Sequence, residues 1–271
     1  MSAAQHRLSA EDAVGWWWRR SGRSWRSGDR VIVAVAGAAA PEYLRGPRLA
    51  RLAEDCRDME GDGLTTMLLV DDPELLLAAV ADLGLDESTW PRNLWVGTTA
   101  KDQDEVRLRV PDIGRVPAVV RFLVLSPLLG RIRLRNYLGR TRAERDLDWV
   151  IAAGDASKWA RPTHPGWAVA IADECVHARV PFYWEGNGAW EVVCDIEDVQ
   201  AGAVVLDDLS GDLRIIERTG ACHRPPTGPS LAQWTSARRF PGGTLLLHRI
   251  QADPDDRELD GEVWEQTPGV G

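Results

Sequence analysis

The sequence predicts an α/β protein: a partial (β/α) barrel of about six parallel strands, followed by an irregular β-rich C-terminal extension. Three observations lead there. Short apolar runs alternate with helical stretches from Val31 to Trp184. Most of the apolar runs lack period-two alternation, as expected of strands buried on both faces of a parallel sheet. Beyond Gly188 the texture changes to short β-like runs separated by Gly, Pro and Asp-rich turns.

Each element follows from its local pattern. Val31-Ile-Val-Ala-Val-Ala36 reads as a strand, and residues from Pro41 to about Met59, with leucines at 44, 49 and 52, read as a helix. Thr66 to Val70 is the next strand and Pro73 to Leu83 its helix. Leu94 to Thr98 is a strand followed by a polar segment from Lys101 to about Val110. Val119 to Leu125 and Asp148 to Ala153 are strands, Pro165 to Ala178 is a helix, and Val180 to Trp184 closes the series. Six such strands with intervening helices suit a barrel or partial barrel better than a sandwich. The later runs, Trp190 to Cys194, Ala203 to Leu206, Leu213 to Glu217 and Thr244 to Ile250, carry thin apolar content. They are expected to pack on the barrel instead of forming a domain of their own. The division is 1–30, 31–188 and 189–271.

Composition bounds the function. The 271 residues suffice for a sizeable core, and 44% hydrophobic with 27% charged residues marks a chain able to fold. A net charge of -9 excludes a general electrostatic grip on nucleic acid, while a local basic patch stays open. Cys56, Cys175, Cys194 and Cys222 show no C-x-x-C spacing, and no signal peptide is read ahead of them. A reducing cytoplasm is the expected setting. Without a long uninterrupted apolar run, no membrane partner is expected.

Residues 1–30 mix Trp16, Trp17, Trp18 and Trp25 with Arg19, Arg20, Arg23, Arg26 and Arg30. Two readings stand. Interleaved aromatics and arginines can stack on bases and hold phosphates. Alternatively, a helix from about Ser9 plugs one end of the core with its tryptophans.

In parallel α/β folds the ligand site lies outside the C-terminal ends of the strands, where loops and helix N-termini converge. The positions that meet this rule include Asp71 and Asp72, Thr98, Ser126, the segment from Asp155 to His164, Glu185 and Asn187. Gly154-Asp-Ala-Ser-Lys-Trp-Ala-Arg-Pro-Thr-His164 is the densest polar group. Lys158 or Arg161 there would hold a carboxylate or phosphate, and His164 would move protons near neutral pH. The alternative is that Arg161 pairs with Asp155 to pin the loop while His164 caps the helix from Pro165. Glu185 is either a general base or a solvated carboxylate. Asp71-Asp72-Pro73 reads as a helix cap more readily than as a metal site. No G-x-G-x-x-G, Walker loop, H-E-x-x-H or G-x-S-x-G occurs, and the histidines do not cluster with cysteines at zinc spacing. No metal is expected.

Five segments carry a family resemblance. They are Asn93-Leu-Trp95-Val-Gly97 with Gln103; Arg121-Phe-Leu123 with Pro127-Leu-Leu-Gly130; Leu147-Asp-Trp149-Val-Ile with Gly154; Ala160-Arg-Pro162 with His164, Pro165 and Trp167; and Val180-Pro-Phe182. Leu259-Asp-Gly261 with Trp264 and Pro268 adds the ending. In this order the chain resembles a phage-associated family that carries a three-cysteine motif and looks like a branch of the radical S-adenosylmethionine partial barrels. The resemblance implies a pocket at the barrel mouth. In typical members it also implies an N-terminal cysteine trio holding a [4Fe-4S] cluster that cleaves S-adenosylmethionine. Here no cysteine precedes Cys56, so the usual cluster has too few thiolates. The family's glutamate before Pro-Leu-Leu-Gly is Ser126, its Gly-Gly-Glu-Ser-Gly is Ala153 to Ser157, and its Lys-Gln-Trp-Gly is Glu185 to Gly188.

Scaffold residues are kept and pocket residues exchanged. The expected function is therefore that of a cluster-less, divergent member. It would be a non-radical enzyme or binder acting on a nucleoside or nucleic-acid base in phage nucleic-acid modification. Trp95 and Trp184 would stack on the base, Thr98, Ser126, Lys158, Arg161 and Asn187 would bind, and Asp155, His164 or Glu185 would transfer protons. S-adenosylmethionine remains a ligand to consider. The alternative is a non-catalytic member that binds a protein partner through its tryptophan-rich N-terminus or its extension.

Overall fold

The computed structural model describes residues 30–36, 46–62, 64–192, 204–206, 213–215, 245–249, 258–259 and 262–268. Six strands form one parallel sheet in sequential order: β1 (Arg30–Ala36), β2 (Leu64–Val70), β3 (Leu94–Thr99), β4 (Arg121–Leu125), β5 (Trp149–Ala152) and β6 (Phe182–Trp184). Four helices lie in the connections: α1 (Gly46–Asp58), α2 (Pro73–Asp82), α3 (Gln103–Gly114) and α4 (Pro165–Ala178). The β4–β5 connection holds a short 3-10 turn, Arg142–Glu144.

The helix starts follow from their caps. Asp72 accepts from the Leu75 N–H at 3.2 Å with Pro73 in the first turn, so the capping reading of that motif holds. Asp102 accepts from the Asp104 and Glu105 N–H groups, each at 3.0 Å, and opens α3. Sequence reading expects only a polar segment there. The helix forms because Val106, Val110 and Ile113 bury one stripe, which the surrounding charges and Pro111 disguise. The first helix, expected from Pro41, is described from Gly46, where it buries Leu49, Leu52, Ala53 and Cys56. Positions 41–45 and the Trp/Arg-rich residues 1–29 lie outside the described residues.

Strand alternation divides the sheet into two faces. Leu68, Val70, Leu94, Val96, Leu123, Leu125, Val150, Ala152, Phe182 and Trp184 share one apolar cluster with residues of all four helices. Met67, Trp95, Phe122, Val124, Trp149 and Ile151, with Tyr183 against them, form a second cluster that contains no helix residue. Helices on one face and sequential strand order mean that each crossover steps the same way, as right-handed β-α-β units do when wound in one direction. On the second face Trp149 centres an aromatic row, with Trp95 at 6.0 Å, Phe122 at 6.1 Å and Tyr183 at 6.5 Å between ring centroids.

The chain returns to close the β6 edge. Tyr183 bridges Glu265, the Trp184 N–H donates to Trp264 O at 2.9 Å, and the Gln266 N–H donates to Phe182 O at 3.1 Å. Trp149 Nε1 donates to Gln266 O at 3.0 Å. An exposed strand edge is thereby covered. The extension contributes an antiparallel sheet in the order β7 (Trp190–Val192), β10 (Leu245–Arg249), β8 (Val204–Leu206), β9 (Leu213–Ile215), and a small pair, β11 (Glu258–Leu259) with β12 (Glu262–Val263). Trp190, Val204, Leu206, Leu247 and Leu259 join the helix-side core. No helix among the described residues is long and apolar enough to cross a membrane.

Candidate functional site

Two loops at the C-terminal strand ends are clasped together. The Gly154 N–H, just past β5, donates to Gly186 O at 2.8 Å, and the Ala189 N–H returns to Asp155 O at 2.8 Å. Space is so tight that a Cβ at Gly154 would lie 2.1 Å from Asn187 O, and one at Gly188 2.3 Å from Asp155 O. Gly188 also takes a φ of 76°, a left-handed conformation that glycine adopts without cost.

Asp155 builds the β5 loop from inside. Its Oδ1 accepts from the Ser157 N–H at 2.8 Å and its Oδ2 from the Arg161 N–H at 3.1 Å. The pinning alternative therefore holds with a corrected partner: the backbone of Arg161 makes the contact, and its side chain is exposed. His164, 5% exposed, caps α4 by accepting from the Gly166 N–H at Nδ1, 3.0 Å away. That contact assigns the ring proton to Nε2 and commits the neutral ring to the helix start. The extension holds the same loop from outside. Arg249 donates to the carbonyls of Ser157 and Lys158, and Trp190 Nε1 donates to Ala160 O at 3.0 Å.

What this fixed loop presents is Lys158, Trp159 and Arg161. Trp159 is 81% exposed, and Lys158 Nζ lies 5.2 Å from its ring centroid. Sequence reading passes over Trp159, although it sits mid-way along the nominated segment. The signal that could have found it is an apolar ring flanked by cations in a loop with no helical or strand periodicity to bury it.

Other nominated residues are dispersed. Thr98 and Trp184 point to the helix side, each 0% exposed, so the expectation that they line a ligand site is corrected. The Thr98 hydroxyl is spent on Val70 O at 2.7 Å. Trp95 lies in the aromatic row of the other face, 6% exposed, near the start of β3 and far down the strand from the mouth. Ser126 is buried at the end of β4, its Oγ without a hydrogen-bond partner among the described residues. Glu185 and Asn187 are half-buried in the β6 loop, where the Glu185 N–H donates to Ala152 O at 2.9 Å.

The Pro127-Leu-Leu-Gly130 segment ties strand ends together. The Leu128 N–H donates to Ala153 O at 2.9 Å, the Leu129 N–H donates to Lys101 O at 3.1 Å, and Thr163 Oγ1 donates to Leu128 O at 2.8 Å.

Cys56 and Cys175 are buried on different helices, α1 and α4. Burial pushes the Cys56 thiol up to about 11 and pushes Cys175 up as well. Cys194 and Cys222 lie outside the described residues. Among the described residues no three His, Cys, Asp or Glu side chains converge to hold a metal ion.

A parallel sheet in sequential order with helices on one face defines a single-wound α/β class. Within it, the chain belongs to the family described as Protein of unknown function (DUF5131), whose model matches residues 25–268. No curated protein and no solved structure matches the chain.

Proposed function

We propose that this chain is a cluster-less, non-radical member of the resembled family, built on a partial barrel. It would bind a nucleoside or nucleic-acid base, in the setting of phage nucleic-acid modification. The observation that carries this reading is Trp159, 81% exposed on a loop fixed at both ends and flanked by Lys158 and Arg161. An exposed ring offers a base its face, and neighbouring cations suit a phosphate. Sequential strand order with helices on one face supports the barrel part. Binding is favoured over catalysis because Asp155 and His164 already serve the loop and the helix start. That leaves Glu185 as the remaining candidate for proton transfer. The phage and nucleic-acid setting rests on the resemblance.

Titration of intrinsic fluorescence with nucleosides, S-adenosylmethionine and short single-stranded oligonucleotides tests the reading. One stacked base is worth about 1–3 kcal/mol, so Trp159→Ala should weaken binding roughly 5- to 150-fold with an unchanged melting temperature. Binding of none of these ligands, or equal binding by the variant, overturns the proposal. A co-purifying protein in that case would favour the protein-partner alternative.

A further inference from the structure

A cavity of about 750 Å³ opens at the opposite, N-terminal end of the sheet, beside the residues that lead into β3, β4, β5 and β6. Its volume lies in the range typical of small-ligand sites. Four arginines, Arg92, Arg142, Arg145 and Arg179, line it against two carboxylates, Glu87 and Asp148. This is a cationic hollow in a chain of net charge -9.

The charges are not equivalent. Asp148 is neutralised from within by Arg121 at 3.2 Å and by Arg142 at 3.0 Å. Arg142 also donates to Ala118 O and Val119 O, so it belongs to the frame. Arg92, Arg145 and Arg179 make no ion pair with a carboxylate among the described residues. Arg145 Nε is buried without a hydrogen-bond partner, a costly state for a charged donor.

Arg179 adds an independent sign. It follows α4 with φ 56° and ψ 41°, the sole non-glycine with positive φ among the described residues. Glycine is the usual occupant of such a left-handed helix end. An arginine there carries backbone strain that glycine would not, and it lines the cavity. Pro117, Pro181 and Pro268 give the hollow stiff apolar walls.

We infer that this cavity binds a small organic phosphate, up to mononucleotide size, whose phosphate is held by Arg145 and Arg179 with Arg92 at the rim. Guanidinium forks match phosphate oxygens in bidentate geometry, and the apolar walls suit the uncharged remainder. This site is separate from the Trp159 loop and does not depend on the function proposed for it.

Calorimetric titration of the full chain with pyrophosphate, AMP and uncharged adenosine tests the inference. Pyrophosphate and AMP should bind, with an affinity that falls as salt rises, and Trp159→Ala should leave the pyrophosphate affinity unchanged. Arg179→Gly relieves the backbone strain, so its apo melting temperature should equal or exceed that of the parent while pyrophosphate affinity drops about tenfold. Arg145→Gln should lower affinity similarly. Absence of pyrophosphate binding, or binding unaffected by both arginine variants, overturns the inference. So does adenosine binding as tightly as AMP in a manner these variants alter. Loss of pyrophosphate binding in Trp159→Ala would place the anion at the other end and overturn it too.

Discussion

Removing Asp148 should be among the most damaging single changes in this chain. Its Oδ2 accepts from the Arg121 backbone N–H at 3.0 Å and from Arg121 Nε at 3.2 Å, and its Oδ1 accepts from Arg142 Nη1 at 3.0 Å. The side chains of Arg121 and Asp148 are only 10% and 9% exposed, whereas that of Arg142 is 53% exposed. In Asp148→Ala, Arg121 keeps its bonds to Gly114 O and Arg145 O but loses its counter-charge in a place water scarcely reaches. Breaking one side of a buried pair costs about 3–5 kcal/mol. Arg142 is half-exposed and keeps its bonds to Ala118 O and Val119 O, so its share is under about 1 kcal/mol.

For a chain of this length each kcal/mol moves the melting temperature by roughly 2–4 °C, which gives a fall on the order of 10 °C. Urea unfolding followed by tryptophan fluorescence measures it directly. The double variant Arg121→Met with Asp148→Leu should recover only part of the loss, because it removes the uncompensated charge but leaves the Arg121 N–H, Gly114 O and Arg145 O without these partners. A loss below about 1 kcal/mol in Asp148→Ala, or a double variant as unstable as the two single losses combined, would refute this account of the clasp.

The remaining expectations concern packing and protonation. A Cβ at position 97 would lie 2.3 Å from ring carbons of Phe122, so Gly97→Ala should cost about 1–3 kcal/mol in a melt, and Phe122→Leu should relieve part of it. Burial raises the Cys56 thiol from 9.0 to about 11, so between these pH values the unfolded chain releases a proton that the folded chain retains. The contribution is whole below pH 9 and is lost as pH rises through about 11. It amounts to about 2–3 kcal/mol, and Cys56→Ala should show a shallower alkaline decline in urea melts than the parent.

The alternation of strands and helices was legible because it depends on local signals. Buried apolar runs mark the strands, and Asp72-Pro73 and His164-Pro165 mark helix starts that the structure reproduces. Facing was not legible. With apolar residues on both faces of β6, Tyr183 and Trp184 offer no polar partner to betray which one meets the helices, and a one-residue shift exchanges them. The structure puts Trp184 against the helices and Tyr183 on the aromatic face. The same ambiguity misplaced Thr98. The arginine cavity was hidden for another reason: positions 92, 145 and 179 are far apart in sequence and meet only because the strand entries line up along one end of the sheet.

The polar residues at the strand exits show why a dense motif is a poor guide to free chemistry. Asp155 and His164 belong to the most polar segment of the chain, yet they accept from N–H groups of that loop and of the first turn of α4. A loop that carries no regular structure must satisfy its backbone somehow, and here the nominated side chains do so. Once they are spent, Lys158, Trp159 and the Arg161 side chain are left facing outward, because the loop does not use them to hold itself together. Arg249 and Trp190 brace that loop from the extension. The residues after Gly188 are therefore part of what keeps Trp159 in place, and the presenting surface is a joint product of the sheet and the segment packed against it.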